Sequence, residues 1–298
     1  MIILITTSTF GEFDGVPLKK LKDAGLSVKT NPHGRKLTSD EVAELAKDAV
    51  GIIAGTEPLD RGVLEKLPLL KVISRCGTGL DNVDMETAKR LGIKVFNSPD
   101  APTLAVAELT VGLIINLLRK INRMDSDLKA GKWQKKMGNL LKGKNIGIIG
   151  FGRIGRKVSE LLKPFSVEVA YTDPAVSAKD IKRLSLKDLL VWADIVTIHI
   201  SQKETILVDK ELRLMRKGSW LINISRGGVV DEEALYELLK EGHLAGAALD
   251  VFEKEPYDGK LKGLENVILT PHIGSYALEA RTRMEKEAVD NLLKGLMG

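Results

Sequence analysis

Hydrophobic positions in the first hundred residues fall into short uninterrupted runs, separated by amphipathic stretches. Runs such as Ile2–Ile5, with no polar break, are typical of strands that are covered on both faces in a parallel sheet. Thr38 begins the sequence Thr-Ser-Asp-Glu, a capping-box pattern that favours a helix start. The predicted strands are 2–5, 50–54, 71–74 and 93–96, and the predicted helices are 17–24, 38–49 and 84–91. This alternation indicates a doubly wound parallel sheet.

A long, mostly apolar helix is predicted at residues 105–121, and a segment rich in lysine and glycine, 129–144, follows it. The strand–helix rhythm then restarts at Asn145. The later predicted strands are 145–150, 167–171, 194–198, 219–223, 245–249 and 267–269, and the later helices are 153–162, 231–241 and 276–296. We therefore expect an α/β fold of two doubly wound parallel-sheet, Rossmann-like domains with a cleft between them. The first domain comprises residues 1–95 and 275–298, and the second comprises 96–274.

Composition limits the partners that we expect. The 298 residues include 45 basic and 40 acidic ones, a net charge of +5, and this mixture is typical of a solvated surface rather than a nucleic-acid interface. The most apolar run, residues 109–118, is about half a membrane span, which predicts a buried helix. One cysteine, Cys76, excludes an intramolecular disulfide and fits a cytoplasmic protein. The first residues lack the basic region of a signal peptide, so we expect neither membrane insertion nor secretion.

A glycine-rich loop opens the second series of strands and helices. The sequence from Gly150 is Gly-Phe-Gly-Arg-Ile-Gly, so Gly150, Gly152 and Gly155 form a G-x-G-x-x-G motif between an apolar strand and a helix. In dinucleotide-binding folds these glycines allow a tight turn, close approach of a pyrophosphate, and close packing of helix on strand. Arg153 and Ile154 begin the helix, whose free amides and positive dipole favour the pyrophosphate. Glycines also mark plain turns, but here a strand and a helix flank the motif.

Asp173 lies 18 residues after Gly155, at the end of the next predicted strand. An acid at this place suits hydrogen bonds to the adenosine ribose and repels a 2′-phosphate. The sequence therefore predicts NAD rather than NADP as the cofactor. The alternative is that Asp173 only starts the turn at Asp173-Pro174.

Three polar segments follow strands of the second domain and are candidates for the chemistry. A hydride transfer to a 2-keto acid needs a cation for the carboxylate and carbonyl, and an acid for the forming alkoxide. Arg226 comes just after a strand, Glu255 lies in Glu-Lys-Glu-Pro, and His272 follows Thr-Pro. Glu253 is an alternative to Glu255, and His272 taken alone is better explained as a structural turn residue. We see no paired cysteines or histidine motif for a metal, so no metal is expected.

Taken together, these segments make the chain similar to the D-2-hydroxyacid dehydrogenase family, closest to its phosphoglycerate-dehydrogenase-like members. The resemblance covers essentially the whole chain. It rests on five segments that occur in the family's order: Arg75-Cys76-Gly77-Thr78-Gly79-Leu80-Asp81-Asn82-Val83-Asp84, the Gly150–Gly155 loop, and the segments of Arg226, Glu255 and His272.

The resemblance implies a role for each matching residue. Arg226 would bind the carboxylate and carbonyl oxygen of the substrate, and His272 would be the acid/base. Glu255 would hydrogen-bond His272 and favour its imidazolium form, since a free histidine titrates near ~6.5. Asp250 would meet the nicotinamide carboxamide. For His199, at the end of a strand, a cofactor contact and a packed strand-end histidine both stay open.

The first domain would bind the substrate and the second would bind NAD. The amides of the Gly77-Thr78-Gly79 loop would receive the substrate carboxylate, with Arg75 beside them. In the family, the long helix at 105–121 and its neighbours build a dimer interface, so we expect a homodimer.

The sequence departs from the family at several positions. Ser201 stands where relatives often have a proline. Gly55 stands where phosphoglycerate enzymes usually have an arginine facing the substrate phosphate, and Glu57 adds an acid nearby, which argues against strong phosphate recognition. Arg75 is the residue that could compensate in part for the lost cation. Long C-terminal regulatory domains are absent from this sequence, so we expect no feedback control through a serine-binding domain.

The sequence thus predicts an NAD-dependent dehydrogenase of a small anionic 2-hydroxy or 2-keto acid. 3-Phosphoglycerate, as in serine biosynthesis, is one candidate substrate. The alternatives are a glyoxylate or hydroxypyruvate reductase, and a non-enzymatic NAD-sensing interaction protein.

Overall fold

The computed structural model of the chain describes residues 1–202 and 204–297; Lys203 and Gly298, the last residue of the predicted first domain, lie outside them. The chain divides into two compact units, Met1–Pro102 with Ser275–Gly298, and Thr103–Gly274. The boundary predicted at residue 95 falls inside a strand of the first unit. Each unit is built on a parallel sheet, which confirms the predicted α/β class.

The first unit contains five parallel strands in the order β2-β1-β3-β4-β5. The strands are β1 (Ile2–Ile5), β2 (Ser27–Thr30), β3 (Ala49–Ala54), β4 (Val72–Arg75) and β5 (Lys94–Asn97). The helices are α1 (Val16–Asp23), α2 (Ser39–Leu45), α3 (Arg61–Leu64), α4 (Met85–Arg90) and a C-terminal helix, Leu278–Met297. Because side chains alternate along a strand, Leu4 joins the core under α2, α3 and α4, whereas Ile3 and Ile5 join the core under α1 and the C-terminal helix.

The second unit contains seven parallel strands in the order β12-β11-β10-β9-β6-β7-β8. Its strands are β6 (Asn145–Ile149), β7 (Glu168–Thr172), β8 (Lys182–Arg183), β9 (Ile195–Ile198), β10 (Ser219–Asn223), β11 (Leu244–Leu249) and β12 (Val267–Leu269). Its helices are α5 (Thr103–Arg119), α6 (Ile121–Lys129), α7 (Arg153–Leu162), α8 (Leu186–Trp192), α9 (Asp209–Leu212) and α10 (Glu232–Lys240). Two buried apolar clusters cover the two faces of this sheet.

Some elements differ from the predictions. The capping box at Thr38 is present, with Glu41 reaching back to the Thr38 amide, but α2 ends at Leu45, where the C-cap residue Ala46 leaves the helical conformation, and β3 begins at Ala49. The predicted long helix ends at Arg119, since Lys120 adopts a left-handed conformation (φ 53°) and α6 begins after it. No described helix combines the length and apolar character that crossing a membrane requires.

Candidate active site

The glycine-rich loop lies where the second sheet reverses its winding. From β6 the chain proceeds outward through β7 and β8, and it then returns to build β9 to β12 on the other side. Loops after the two strands at such a point form a crevice in which open α/β sheets bind ligands. Gly150 follows β6 with φ of 89°, and a Cβ atom there would lie 2.6 Å from the carbonyl oxygen of His199, which follows β9. The two loops therefore touch, and only glycine fits.

The other two glycines of the motif differ in their surroundings. A Cβ atom on Gly152, the N-cap of α7, would meet nothing within 4 Å, so the approach to the helix N-terminus is open. A Cβ atom on Gly155 would overlap the carbonyl oxygen of Gly150, so this glycine permits α7 to pack on β6. Arg153 is exposed and Ile154 is half-buried in the first turn of α7. This geometry fits a pyrophosphate over Gly152, held by amides of the first turn.

Asp173, at the end of β7, links the glycine loop to the following turn. Its Oδ2 accepts a hydrogen bond from Phe151 N (2.7 Å), and its Oδ1 accepts from Ala175 N and Val176 N (both 2.9 Å). Burial raises the pKa of Asp173, but these three amides outweigh it and the net pKa is lowered. The carboxylate does start the turn, as the alternative interpretation had it. It also keeps unused lone pairs, which a ribose hydroxyl can meet.

His199 is held as a neutral imidazole beside the glycine loop. Its Nε2 lies 2.9 Å from Thr197 Oγ1, and burial lowers the pKa of His199 to about 3. Its Nδ1 is buried and has no hydrogen-bond partner within residues 1–202 and 204–297. A buried polar atom without a partner is costly unless a ligand satisfies it. This nitrogen belongs to the residue whose backbone touches the Gly150 position of the glycine-rich loop.

Arg226 follows β10 on a loop whose shape is fixed by Asn223. The Asn223 side chain accepts from the Ser225 hydroxyl (2.8 Å) and donates to the Arg226 carbonyl (3.0 Å). Arg226 Nη1 donates to the Ser225 carbonyl (2.8 Å), and the side chain is half-buried. A Cβ atom on Gly227 would overlap the Phe252 carbonyl, so this glycine lets the Arg226 loop pack directly on the loop after β11.

Glu255 and His272 are in contact, although 17 residues separate them. Nδ1 of His272 lies 3.1 Å from Oε1 and 3.0 Å from Oε2 of Glu255. Oε1 also accepts from the Phe252 amide (3.1 Å), which fixes the carboxylate. Since Nδ1 faces Glu255, Nε2 is the ring nitrogen left for another group, and the imidazole side chain is 50% exposed. The structure thus pairs His272 with Glu255 rather than with Glu253.

Asp250 holds the turn that carries His272. Its Oδ1 accepts from Thr270 Oγ1 (2.6 Å) and Ile273 N (2.8 Å), and its Oδ2 accepts from Gly274 N (2.8 Å). His272 itself adopts φ of 56°, a conformation uncommon outside glycine that these bonds stabilise. Burial raises the pKa of Asp250 against the opposing effect of these donors. Sequence reasoning missed this positioning role, because Asp250 and the turn come together only once β12 pairs with β11.

In the first unit, the loop after β4 carries the predicted substrate-binding residues. The Arg75 guanidinium donates to the Cys76 carbonyl and bends over Gly77, where a Cβ atom would lie 2.5 Å from Nη1. Thr78 is fixed by its neighbours: its hydroxyl reaches the Ser98 carbonyl (3.4 Å) and its carbonyl accepts from the Asn97 side chain (2.7 Å). Gly79 completes the same loop and is half-buried. A cation therefore lies against the Gly77 backbone.

Cys76 lies in the loop after β4, and its thiol is not reactive there. Cys76 is buried, and burial raises the pKa of its thiol to about 11, which disfavours the reactive thiolate. Within residues 1–202 and 204–297, no group of three or more histidine, cysteine, aspartate or glutamate side chains is arranged to hold a metal ion.

Comparison with known proteins identifies the family. Residues 111–274, more than half of the chain, match the family described as D-isomer specific 2-hydroxyacid dehydrogenase, NAD binding domain. The chain belongs to the D-isomer-specific 2-hydroxyacid dehydrogenase family. It carries that family's NAD-binding domain in the second unit, and the resemblance seen in the sequence is confirmed.

Two curated members of the 2-hydroxyacid dehydrogenase family show how this chain relates to others. It is 39% identical to D-3-phosphoglycerate dehydrogenase of Methanocaldococcus jannaschii over 275 residues, covering 88% of this chain and 52% of that protein. It is 42% identical to glyoxylate reductase of Thermofilum pendens over 260 residues, covering 82% and 77%. The chain thus spans about half the length of the phosphoglycerate dehydrogenases that it matches.

Among solved structures, the TT0316 protein of Thermus thermophilus is similar over 100% of this chain and 97% of its own, with a TM-score of 0.94 and 35% identity. Both units therefore follow a known arrangement of strands and helices.

Proposed function

We propose that this protein is an NAD-dependent dehydrogenase that interconverts a small 2-hydroxy acid and the corresponding 2-keto acid. The observation that supports this most is the His272–Glu255 pair, with His272 Nε2 left available for a substrate oxygen. Arg226, on the loop packed beside it, supplies a half-buried cation for the substrate carboxylate and carbonyl oxygen. An acid/base and a cation, on loops that follow β12 and β10 of the same sheet, are the groups that this reaction requires.

In the direction of reduction, NADH would supply the hydride to C2 of the keto acid. His272 donates a proton from Nε2 to the oxygen on C2, so that a hydroxyl replaces the carbonyl. Glu255 orients the imidazole through its contact with Nδ1. Arg226 withdraws charge from the carbonyl oxygen as the alkoxide forms. In the first unit, we assign Arg75 and the amides of Gly77–Gly79 to the substrate carboxylate.

For the cofactor, we assign Gly150, Gly152, Arg153, Ile154 and Gly155 to the pyrophosphate. Asp173 would meet the adenosine ribose, and its negative charge would disfavour the 2′-phosphate of NADP. His199 Nδ1 would face the bound dinucleotide. Asp250, whose oxygens already accept bonds from the His272 turn, contributes chiefly by holding that turn.

NADH and NADPH oxidation by the purified protein, with glyoxylate, pyruvate, hydroxypyruvate and phosphohydroxypyruvate, tests this proposal. We expect turnover with NADH, and a loss of kcat by about 10²–10⁴ in His272→Ala, the usual contribution of a positioned acid/base. His33→Ala, which removes an exposed imidazole of the first unit, is the control and should retain activity. Turnover in His272→Ala equal to that of the unchanged protein would contradict the assignment. NAD binding without turnover of any 2-keto acid would support an NAD-sensing role instead.

We also propose that the protein is a homodimer that functions in the cytoplasm. Trp133, Met137 and Leu140 are 81%, 88% and 71% exposed on the segment after α6. The backbone of this segment is fixed, since Asn139 N donates to the Leu118 carbonyl (2.8 Å) and Lys132 N to the Asp127 carbonyl (2.8 Å). An ordered segment presenting large apolar side chains is typical of a protein–protein contact.

A further inference from the structure

The carboxyl edge of the first sheet contains polar groups to which the proposed function assigns no role. From β1 the chain proceeds to β2 on one side, and then to β3, β4 and β5 on the other, so the winding reverses between β1 and β3. Open α/β sheets bind ligands beyond the carboxyl ends of the two strands at this reversal. Here those ends carry Thr6 and Thr7 after β1, and Gly55 and Glu57 after β3.

Glu57 places a buried carboxylate at this reversal. Only 2% of the residue is exposed. Its Oε1 accepts hydrogen bonds from the Thr6 hydroxyl and from the Gly55 amide (3.0 Å). Across residues 1–202 and 204–297, no lysine, arginine or histidine forms an ion pair with it. Asn82 lies in the loop between β4 and α4, and its side-chain amide donates to the carbonyls of Gly55 (3.2 Å) and Glu57 (2.7 Å). These two bonds fix the loop that carries Glu57. The acid is therefore held firmly, by neutral donors alone.

The Glu57 side chain occupies the space into which a residue at position 55 would extend. A Cβ atom on Gly55 would lie 2.8 Å from Oε2 of Glu57 and 3.1 Å from the methyl group of Thr7. The Thr7 hydroxyl beside this space is buried and has no hydrogen-bond partner in the described part of the chain. The reversal point thus holds a buried carboxylate oxygen and a buried, unsatisfied hydroxyl beside the Gly55 Cβ position. An unsatisfied hydroxyl is costly unless a hydrogen-bonding group meets it, so a polar group of a ligand suits this place better than an apolar one.

This space adjoins the loop assigned to the substrate carboxylate. β3 and β4 pair at Ala54 and Arg75, and Cys76 N donates to the Ala54 carbonyl (2.9 Å), so Gly55 and Gly77 follow neighbouring strand ends. Neighbouring strands are about 4.8 Å apart, a distance on the order of the length of a three-carbon acid. The Gly77 amide itself donates to the Arg75 carbonyl (2.9 Å), which leaves the amides of Thr78 and Gly79 in this loop for a carboxylate. A substrate whose carboxylate meets this loop can therefore direct its C3 substituent toward Glu57.

We infer that Glu57 is a specificity-determining residue: it selects small 2-keto acids whose C3 substituent is neutral and can donate a hydrogen bond, and it rejects those with a second negative charge. This inference rests on the proposed function and names its substrate class. A C3 hydroxyl can donate to Glu57 Oε2 or pair with Thr7. A C3 phosphate brings two further negative charges beside a carboxylate that, in the part of the chain the structure describes, forms no ion pair with a lysine, arginine or histidine. Like charges at such distances repel strongly where water is excluded.

The test compares kcat/KM for phosphohydroxypyruvate and hydroxypyruvate, with NADH, in the unchanged protein and in Glu57→Gln. The amide keeps the size of the side chain and removes its charge. We expect hydroxypyruvate to be preferred by the unchanged protein, and the ratio of phosphorylated to unphosphorylated substrate to rise about tenfold or more in Glu57→Gln. Glu44→Gln, an exposed acid of the same unit, is the matched control and should leave the ratio unchanged.

A ratio in Glu57→Gln within about twofold of the unchanged protein, with both substrates turned over, would overturn the inference and leave the proposed function intact. Preference of the unchanged protein for phosphohydroxypyruvate would also overturn it. NADH oxidation with neither acid would contradict the proposed function itself.

A second measurement needs no variant, in case Glu57→Gln fails to fold. The second ionisation of a phosphate monoester lies near pH ~6. As the phosphate gains its second negative charge between about pH 5.5 and 7.5, the ratio of kcat/KM for phosphohydroxypyruvate to kcat/KM for hydroxypyruvate should fall several-fold. Taking this ratio at each pH cancels the ionisation of the catalytic groups that both substrates share. A rising ratio would show that the site favours the phosphate dianion, and the inference would be wrong.

Discussion

His199 illustrates how the environment of one side chain sets its protonation state. The ring follows a central strand, its Nε2 is paired with Thr197, and burial lowers its pKa to about 3. The sequence left open whether this histidine is a cofactor contact or a packed strand-end residue. The structure shows features of both, since the ring is packed and yet Nδ1 is without a partner in the described residues.

The depressed pKa of His199 predicts acid sensitivity of the cofactor-free protein. A group whose folded pKa lies below its unfolded value of about 6.5 stabilises the fold above that value. That contribution is lost as the pH falls from about 6.5 toward about 3, by about 1.4 kcal/mol for each pH unit. His199→Gln should therefore show a shallower fall in the free energy of unfolding, measured by urea titration between pH 7 and pH 4.5. His33→Gln is the control, and equal slopes in His199→Gln and the unchanged protein would refute the assignment.

Single residues also mark where sequence reasoning reached its limit. Arg226 and His272 could be singled out because each follows a strand and carries suitable chemistry. The choice of Glu255 over Glu253 came only from the resemblance to the family. The direct contact between Glu255 and His272 could not be derived from spacing, since it depends on how the loops after β11 and β12 bend toward each other. Gly227 was not singled out, because nothing in the sequence distinguishes a glycine under a carbonyl from a glycine in a turn.

At the scale of elements, strands that contain an apolar run were predictable, and strands without such a run were not. β3 and β9 are apolar runs with no solvent-facing positions to break the pattern. β2, by contrast, has the sequence Ser-Val-Lys-Thr, with two exposed and two half-buried positions on the edge of the sheet, so it carries no hydrophobic pattern. The short helix α8 was also missed, although Ser185 caps it. Residues 171–194 therefore contained an element that local pattern did not reveal.

Packing of the Arg226 loop against the loop after β11 gives an element-level prediction. Gly227→Ala should destabilise the protein by about 1–3 kcal/mol, because the new methyl group has to displace the Phe252 carbonyl. The melting temperature should fall by about 2–4 °C for each kcal/mol, and kcat should fall as Arg226 moves. Gly263→Ala is a matched control in the same unit, since its Cβ atom would meet nothing within 4 Å. An unchanged melting temperature in Gly227→Ala would show that the loops are not packed this closely.

At the scale of the whole molecule, the segment with Trp133, Met137 and Leu140 raises the question of what covers it. Large apolar side chains on an ordered segment are unfavourable in water, and a second copy of the chain is the partner that is always available. A two-fold dimer would pair the segment with the same surface of its partner, so the exposed residues would be covered in both subunits. This is the contact that we propose for the homodimer.

The dimer proposal predicts that charge on this segment will separate the subunits. The double variant Trp133→Asp and Met137→Asp should weaken association by about 30-fold or more, since a buried aromatic anchor typically contributes at least about 2 kcal/mol. Sedimentation velocity over a range of protein concentrations measures the shift. Leu69→Asp, at a position of the first unit that is 52% exposed, is the control and should leave association unchanged. A double variant that stays dimeric at the same concentrations would exclude this segment from the interface. A monomeric unchanged protein would refute the dimer, and the exposed apolar side chains would then call for a different partner.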